Sequence, residues 1–105
     1  DCVISEEAAR CIASELAIAM QSAKRVLLVG DHLQLPPLYS DAHKAALARR
    51  LGINNERTEI DTALRSDFAR AFNSTYGLQA SATLLTQYRM APPIGDLVSN
   101  TFYEG

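Results

Sequence analysis

Glu6 and Glu7 are adjacent carboxylates at the end of a short apolar run, Cys2-Val3-Ile4-Ser5. Paired acids at a strand end are the layout with which phosphate-cleaving enzymes hold magnesium and orient an attacking water. Successive strand side chains point opposite ways, so both acids serve one site only if the strand ends there and the chain turns. A competing reading makes them solvated carboxylates at a helix start, where the dipole favours negative charge. Farther on, Val29-Gly30-Asp31-His32-Leu33-Gln34-Leu35-Pro36-Pro37 sets an acid and an amide on a stiff loop. Glycine turns the chain off a strand end, and the prolines bar entry into another central strand. An uncharged amide such as Gln34 can donate to a phosphate oxygen and release it after bond cleavage. Asp31 suits bonding to loop amides, and His32 is expected to face solvent. A chance loop of this composition is the alternative. A third group, Gln87-Tyr88-Arg89, follows the apolar run Leu84-Leu85. Arg89 offers a fixed charge and a bidentate fork for phosphate oxygens.

These groups need elements to position them. The runs at 2–5, 25–29 and 82–86 read as strands, with 25–29 a buried strand of a parallel sheet. Ala9, Ile12, Ala13, Leu16, Ile18 and Met20 recur at helical spacing, which predicts a helix from Ala8 to about Gln21. Ser40 or Asp41 offers an N-cap for a helix through Leu51, stopped by Gly52. The polar stretch 53–59 reads as a loop. Asp61 or Thr62 starts a helix through Leu64, Phe68, Ala69, Ala71 and Phe72 that ends near Tyr76-Gly77. Pro92-Pro93 open a last helix, in a first turn that tolerates proline, carrying Ile94, Leu97 and Val98 toward a core. The order β-α-β-α-α-β-α predicts an α/β layer with a parallel sheet. Its three strand ends then form one edge, where open α/β sheets bind ligands.

The chain has 105 residues, room for one small domain with a modest core. Its 48% hydrophobic and 21% charged residues exclude a disordered segment. No run reaches the roughly 18 apolar residues of a membrane helix, and no signal-peptide pattern is present. The start at Asp1, without leader or initiator methionine, suggests a piece of a longer protein. Cys2 and Cys11 lack metal-type spacing and read as free, buried thiols in a reducing, intracellular setting. The formal net charge of -2 supplies no basic footprint for nucleic acid. Arg10, Arg49 and Arg50 read as surface charges or ion-pair partners, with nucleic-acid contact by Arg49-Arg50 as the lesser alternative.

The three polar groups, in this order and wording, resemble the superfamily 1 helicases, in the branch of the nonsense-mediated-decay helicase and senataxin. There the acidic strand end is the Walker B motif (motif II), the G-D-x-x-Q-L-P loop is motif III and Q-Y-R-M is motif IV. Asn100-Thr101-Phe102-Tyr103-Glu104-Gly105 looks like the segment that follows motif IV. The resemblance spans essentially the whole chain. It implies a partial RecA-like P-loop NTPase domain using ATP and Mg²⁺. Glu6 then takes the metal-facing role, at a position where the family most often has Asp, and Glu7 orients the water. Gln34 contacts the γ-phosphate, and Arg89 is an arginine finger supplied in cis. Tyr88 stacks on adenine (a packed strand-end ring being the alternative), Gln87 orients its loop, and Gly30 and Asp31 belong to the nucleotide loop. The family's phosphate cradle, G-x-x-x-x-G-K-[ST], has no counterpart among these 105 residues, and the motifs of a second RecA-like domain are missing too.

The expectation is therefore the part of a helicase's first motor domain from Walker B through motif IV, residues 1–105. The parent would couple Mg-ATP hydrolysis to movement on single-stranded RNA or DNA, its remaining helicase domains acting in cis, with no membrane role. The isolated segment should be inactive. The alternatives are a nucleotide-binding or scaffolding module whose motor has decayed and, more weakly, an unrelated α/β hydrolase using the Glu pair.

Overall fold

The computed structural model describes residues 1–52, 60–61 and 64–105. Its centre is a parallel pair of strands, β1 (Cys2–Ser5) and β2 (Arg25–Leu28), in register from Cys2 opposite Arg25 to Ser5 opposite Leu28. A parallel pair requires a crossover. It is supplied by a 3₁₀ turn (Ala8–Arg10) and helix α1 (Ala13–Met20). Beyond it lie α2 (Asp41–Leu51), α3 (Asp67–Phe72), α4 (Thr75–Gln79) and α5 (Pro92–Phe102). The architecture is α/β, as the alternation of apolar runs and helical spacing implies.

A small core forms where the crossover meets α3: Ala8, Ala9, Leu16 and Phe68 are buried, with Cys11 and Leu28 packed against them. Only one face of the sheet is covered. Val3 and Val26 are half-buried, whereas Ile4 and Leu27 on the opposite face are 67% and 52% exposed. β2 is thus half-buried, not buried as its unbroken apolar run suggests. Parallel sheets are ordinarily covered on both faces. Accordingly the radius of gyration is 16.3 Å, where a compact domain of this length has about 13 Å.

The first helix begins later than its spacing suggests. Ala8 N–H is drawn to Val29 O at 2.9 Å, and Glu7 turns into the left-handed region at φ 54°. The chain winds only a 3₁₀ turn before α1 starts afresh. Glu15 Oε2, in the first turn of α1, accepts from Ile12 N–H at 3.1 Å, half of a capping box. α2 matches its signals: Ser40 Oγ accepts from His43 N–H at 3.2 Å, and Gly52 closes the helix at φ 63°.

The expected helix from Asp61 or Thr62 to Tyr76-Gly77 is instead broken. Thr62, like the loop 53–59, lies outside the described residues. Ser66 caps α3, its Oγ accepting from Ala69 N–H, and Ser74 caps α4, its Oγ accepting from Gly77 N–H at 3.0 Å. Ser74 also donates to Ala71 O at 2.6 Å, so one hydroxyl both ends α3 and starts α4. Gly77 permits the sharp break, because a Cβ there would fall 1.9 Å from Ala71 O.

The third strand is not formed. Residues 81–88 have no ladder partner among the described residues, and Leu84 and Leu85 are 94% and 91% exposed. A strand exists only through its neighbour's backbone groups, and apolar residues alone do not provide one. α5 forms with Pro92 and Pro93 in its first turn as expected, yet Ile94 and Leu97 stay exposed and only Val98 is half-buried. Its apolar stripe does not reach the core.

Candidate functional site

The site lies at the carboxyl ends of β1 and β2, where backbone bonds continue past the strands. Val29 N–H donates to Ser5 O at 2.8 Å, and Ala8 N–H donates back to Val29 O at 2.9 Å. The Glu6-Glu7 turn and the Gly30 loop are therefore laced side by side. Gly30 is required for this approach: a Cβ there would lie 2.9 Å from Ala9 N and 3.3 Å from Ala8 N. Glu6 and Glu7 are both exposed, and neither carboxylate is engaged by another side chain among the described residues. Glu7 holds φ 54°, a conformation that costs a non-glycine residue about 1–2 kcal/mol. Its carbonyl accepts from Arg10 N–H at 3.0 Å, which steadies the turn.

The loop after β2 is held from three directions. Gly30 abuts the 3₁₀ turn, and the His32 ring lies 4.8 Å from the Phe72 ring at the end of α3. His32 is thus half-buried against an aromatic rather than facing solvent. The third hold is on Asp31. Its Oδ1 accepts from Leu33 N–H at 3.0 Å, and its Oδ2 accepts from Gln34 Nε2 at 3.0 Å and from the Tyr103 hydroxyl. Burial pushes the Asp31 carboxyl up, but the donors Tyr103, Leu33 and Gln34, with the charge of His32, together bring it below its ordinary value. The Tyr103 phenol is correspondingly raised, first by donating to Asp31. Tyr103 lies in the tail Asn100–Gly105, where local pattern assigns it no chemistry. A phenol within reach of a loop carboxylate is a tertiary fact, and only the spacing of α5 from the strand ends reveals it.

Gln87, Tyr88 and Arg89 do not end a strand, but they are ordered by α5. Gln87 Oε1 accepts from Met90 N–H at 2.7 Å while its Nε2 donates to Met90 O at 3.1 Å, closing a small ring. The amide also rests on α5 at Gly95, where a Cβ would meet Gln87 Nε2 at 2.7 Å. Tyr88 is 94% exposed, and Arg89 is exposed with no ion pair or hydrogen bond among the described residues. Within these residues the Tyr88 ring is therefore open rather than packed. Two strand ends, rather than three, form the polar edge; α5 reaches it through Tyr103, and the Arg89 turn lies before the opposite end of that helix.

Comparison with known proteins decides the relationship. The protein family described as an AAA domain matches residues 1–41, which hold both strands and the whole loop after β2. The chain is 33% identical over 107 residues to the ATP-dependent helicase upf1 of Schizosaccharomyces pombe, covering 98% of this chain and 9% of that protein. It is 30% identical over 105 residues to the DNA-binding protein SMUBP-2 of Mesocricetus auratus and, equally, of Rattus norvegicus, covering 100% of this chain and 9% of each relative. The chain belongs to the superfamily 1 helicases. No solved structure matches it.

As a superfamily 1 helicase chain with the P-loop NTPase fold, it carries the Glu6-Glu7 pair just past the end of β1 and the Gly30–Gln34 loop just past the end of β2. It spans about 9% of the length of the curated relatives it matches. Among the described residues no cluster of three His, Cys, Asp or Glu is placed to hold a metal, and the candidate donors at the strand ends are the exposed carboxylates of Glu6 and Glu7. Hard oxygen donors in that number suit magnesium, which takes one or two protein carboxylates and fills its shell with phosphate and water. No helix among the described residues is long and apolar enough to cross a membrane.

Proposed function

We propose that this chain is part of the first motor domain of an ATP-dependent helicase that moves on single-stranded RNA or DNA. The observation that carries the reading is the lacing of the Glu6-Glu7 turn to the Gly30–Gln34 loop at the ends of two parallel strands. It brings the turn that carries the carboxylate pair alongside the loop that carries the Gln34 amide, which supports a site where one group orients water and another senses the phosphate. The open sheet face, the unpaired segment 81–88 and the exposed stripe of α5 are consistent with further elements of the parent packing there.

Magnesium bound with ATP would screen the phosphate charge, with Glu6 as its protein ligand. Glu7 accepts a hydrogen bond from water, aligns it and takes its proton. Gln34 directs an amide N–H at the γ-phosphate position. Arg89 sets its guanidinium against the charge that develops on the equatorial oxygens, a role worth roughly 10³ to 10⁵ in rate where arginine fingers act. Tyr88 offers its open ring face to adenine, Gln87 holds that turn in shape, and Gly30 and Asp31 shape the loop. Lysine and backbone amides for the β- and γ-phosphates come from elsewhere in the parent, so the 105 residues alone turn over no ATP. The working partners are single-stranded nucleic acid and the parent's remaining helicase domains, in a cytoplasmic or nuclear setting where Cys2 and Cys11 stay reduced.

The test is ATP hydrolysis by the full-length protein, with and without single-stranded RNA or DNA. Magnesium-dependent turnover stimulated by nucleic acid is expected. ATP binding without turnover in either condition would replace the motor with a decayed nucleotide-binding module.

A further inference from the structure

We propose that Tyr103 is a positioning residue for Gln34, acting through Asp31, and that α5 thereby joins the motif III amide to the Arg89 turn. The proposal rests on the motor reading above. A carboxylate only accepts hydrogen bonds, so both groups on Asp31 Oδ2 are donors: the Tyr103 hydroxyl and the Gln34 amide nitrogen. The orientation of the Gln34 amide follows. One Nε2 hydrogen is spent on Asp31, the Tyr103 oxygen is a further side-chain partner of the same amide, and Oε1 is left facing outward from this pair of holds. Leu33 N–H fixes Oδ1 of the same carboxylate. Without Tyr103, the remaining hold on Oδ2 among the described residues is Gln34 itself, and the group meant to be positioned becomes its own support.

The second part follows from where Tyr103 sits. It closes the C-terminus of α5, its N–H donating to Ser99 O at 2.9 Å. Near the other end of α5, Gly95 receives the Gln87 amide that shapes the Tyr88-Arg89 turn. A helix of 11 residues is a strut of about 16 Å. One end bears on the loop that holds Gln34 and the other on the turn that carries Arg89. A shift of α5 then alters both groups together.

Kinetics on the full-length protein test this, comparing Tyr103→Phe, Gln34→Ala and the double variant in single-stranded RNA-stimulated ATP hydrolysis. Rates are referred to the fraction that binds nucleotide, so that misfolded molecules cancel. Tyr103→Phe removes one hydroxyl and should lower stimulated kcat about 3- to 10-fold while KM for ATP stays within about twofold. In the Gln34→Ala background the same change should cost nothing further, because the group it positions is gone. Asp31→Ala should reproduce the loss, and adding Tyr103→Phe should not deepen it. Equal losses from Tyr103→Phe with and without Gln34, or no loss at all, would overturn the proposal. Glu7→Gln, assayed alongside, keeps the two ideas apart: retained turnover there contradicts the motor reading, whereas lost turnover with additive Tyr103 and Gln34 effects contradicts only the positioning role.

Discussion

Tyr103, just past the last turn of α5, donates its hydroxyl to the carboxylate of Asp31 in the loop after β2, 72 residues away in the sequence. The bond requires a neutral phenol and an ionised acid, so its contribution to stability has a pH window. Asp31 has a lowered folded value: its contribution is present above the ordinary carboxylate value of about 3.9 and is lost as pH falls through the folded one. Tyr103 has a raised folded value: its contribution is present below about 10 and is lost as pH rises through the folded one. Tyr103→Phe should therefore cost stability at neutral pH, at most about 1 kcal/mol for a bond this open to solvent. The cost should shrink as the solution is acidified below the folded value of Asp31. Thermal unfolding of both proteins across an acid pH series measures this, and an unchanging difference would mean the phenol is not bound to a carboxylate.

Gly30 and Gly77 are both crowded, but only Gly30 sits in the site. Gly30→Ala should destabilise by about 1–3 kcal/mol, since backbone must move to admit the methyl. It should also reduce turnover per folded molecule by prising the Glu7 turn from the Gln34 loop. Gly77→Ala, whose Cβ would strike Ala71 O, should lose stability on at least that scale with turnover per folded molecule retained. Denaturant unfolding combined with ATPase on the nucleotide-binding fraction separates the two.

Much of this arrangement is legible in the sequence, and the failures share a cause. Ser40, Gly52 and Pro92-Pro93 act through their own backbone within a turn, and each does what its residue type dictates. The β-α-β unit follows from two apolar runs separated by a helical one. Ser66 and Ser74 are equally local caps, but the helical spacing through Phe68 and Phe72 hid the break they impose. The run at 82–86 reads as a strand because Leu84 and Leu85 are apolar, whereas pairing depends on a neighbour the sequence does not name. His32 against Phe72 and Tyr103 against Asp31 join distant segments, and no local pattern encodes such contacts.

Arg89 and Tyr88 are exposed neighbours whose substitution should part kcat from KM. Arg89→Ala removes charge stabilisation that grows as the bond breaks, so kcat should fall by roughly 10³ or more with little change in KM. Tyr88→Ala removes stacking that is similar in ground and transition states, so KM for ATP should rise with kcat nearly kept. Steady-state kinetics of the full-length protein with single-stranded RNA reads both. A pure KM effect for Arg89→Ala would remove it from the chemical step.

Most directly, the account turns on Glu7, the exposed acid held in the left-handed turn after β1. Glu7→Gln keeps the size and hydrogen-bonding capacity of the side chain but removes the base. Nucleotide affinity and single-turnover hydrolysis should be measured together on the full-length variant. ATP should still bind with near wild-type affinity, while the hydrolysis step slows by about 10² or more, the loss expected when a general base is removed. Hydrolysis at close to the wild-type rate would contradict the Walker B assignment, and with it the reading of this chain as part of an ATP-driven motor.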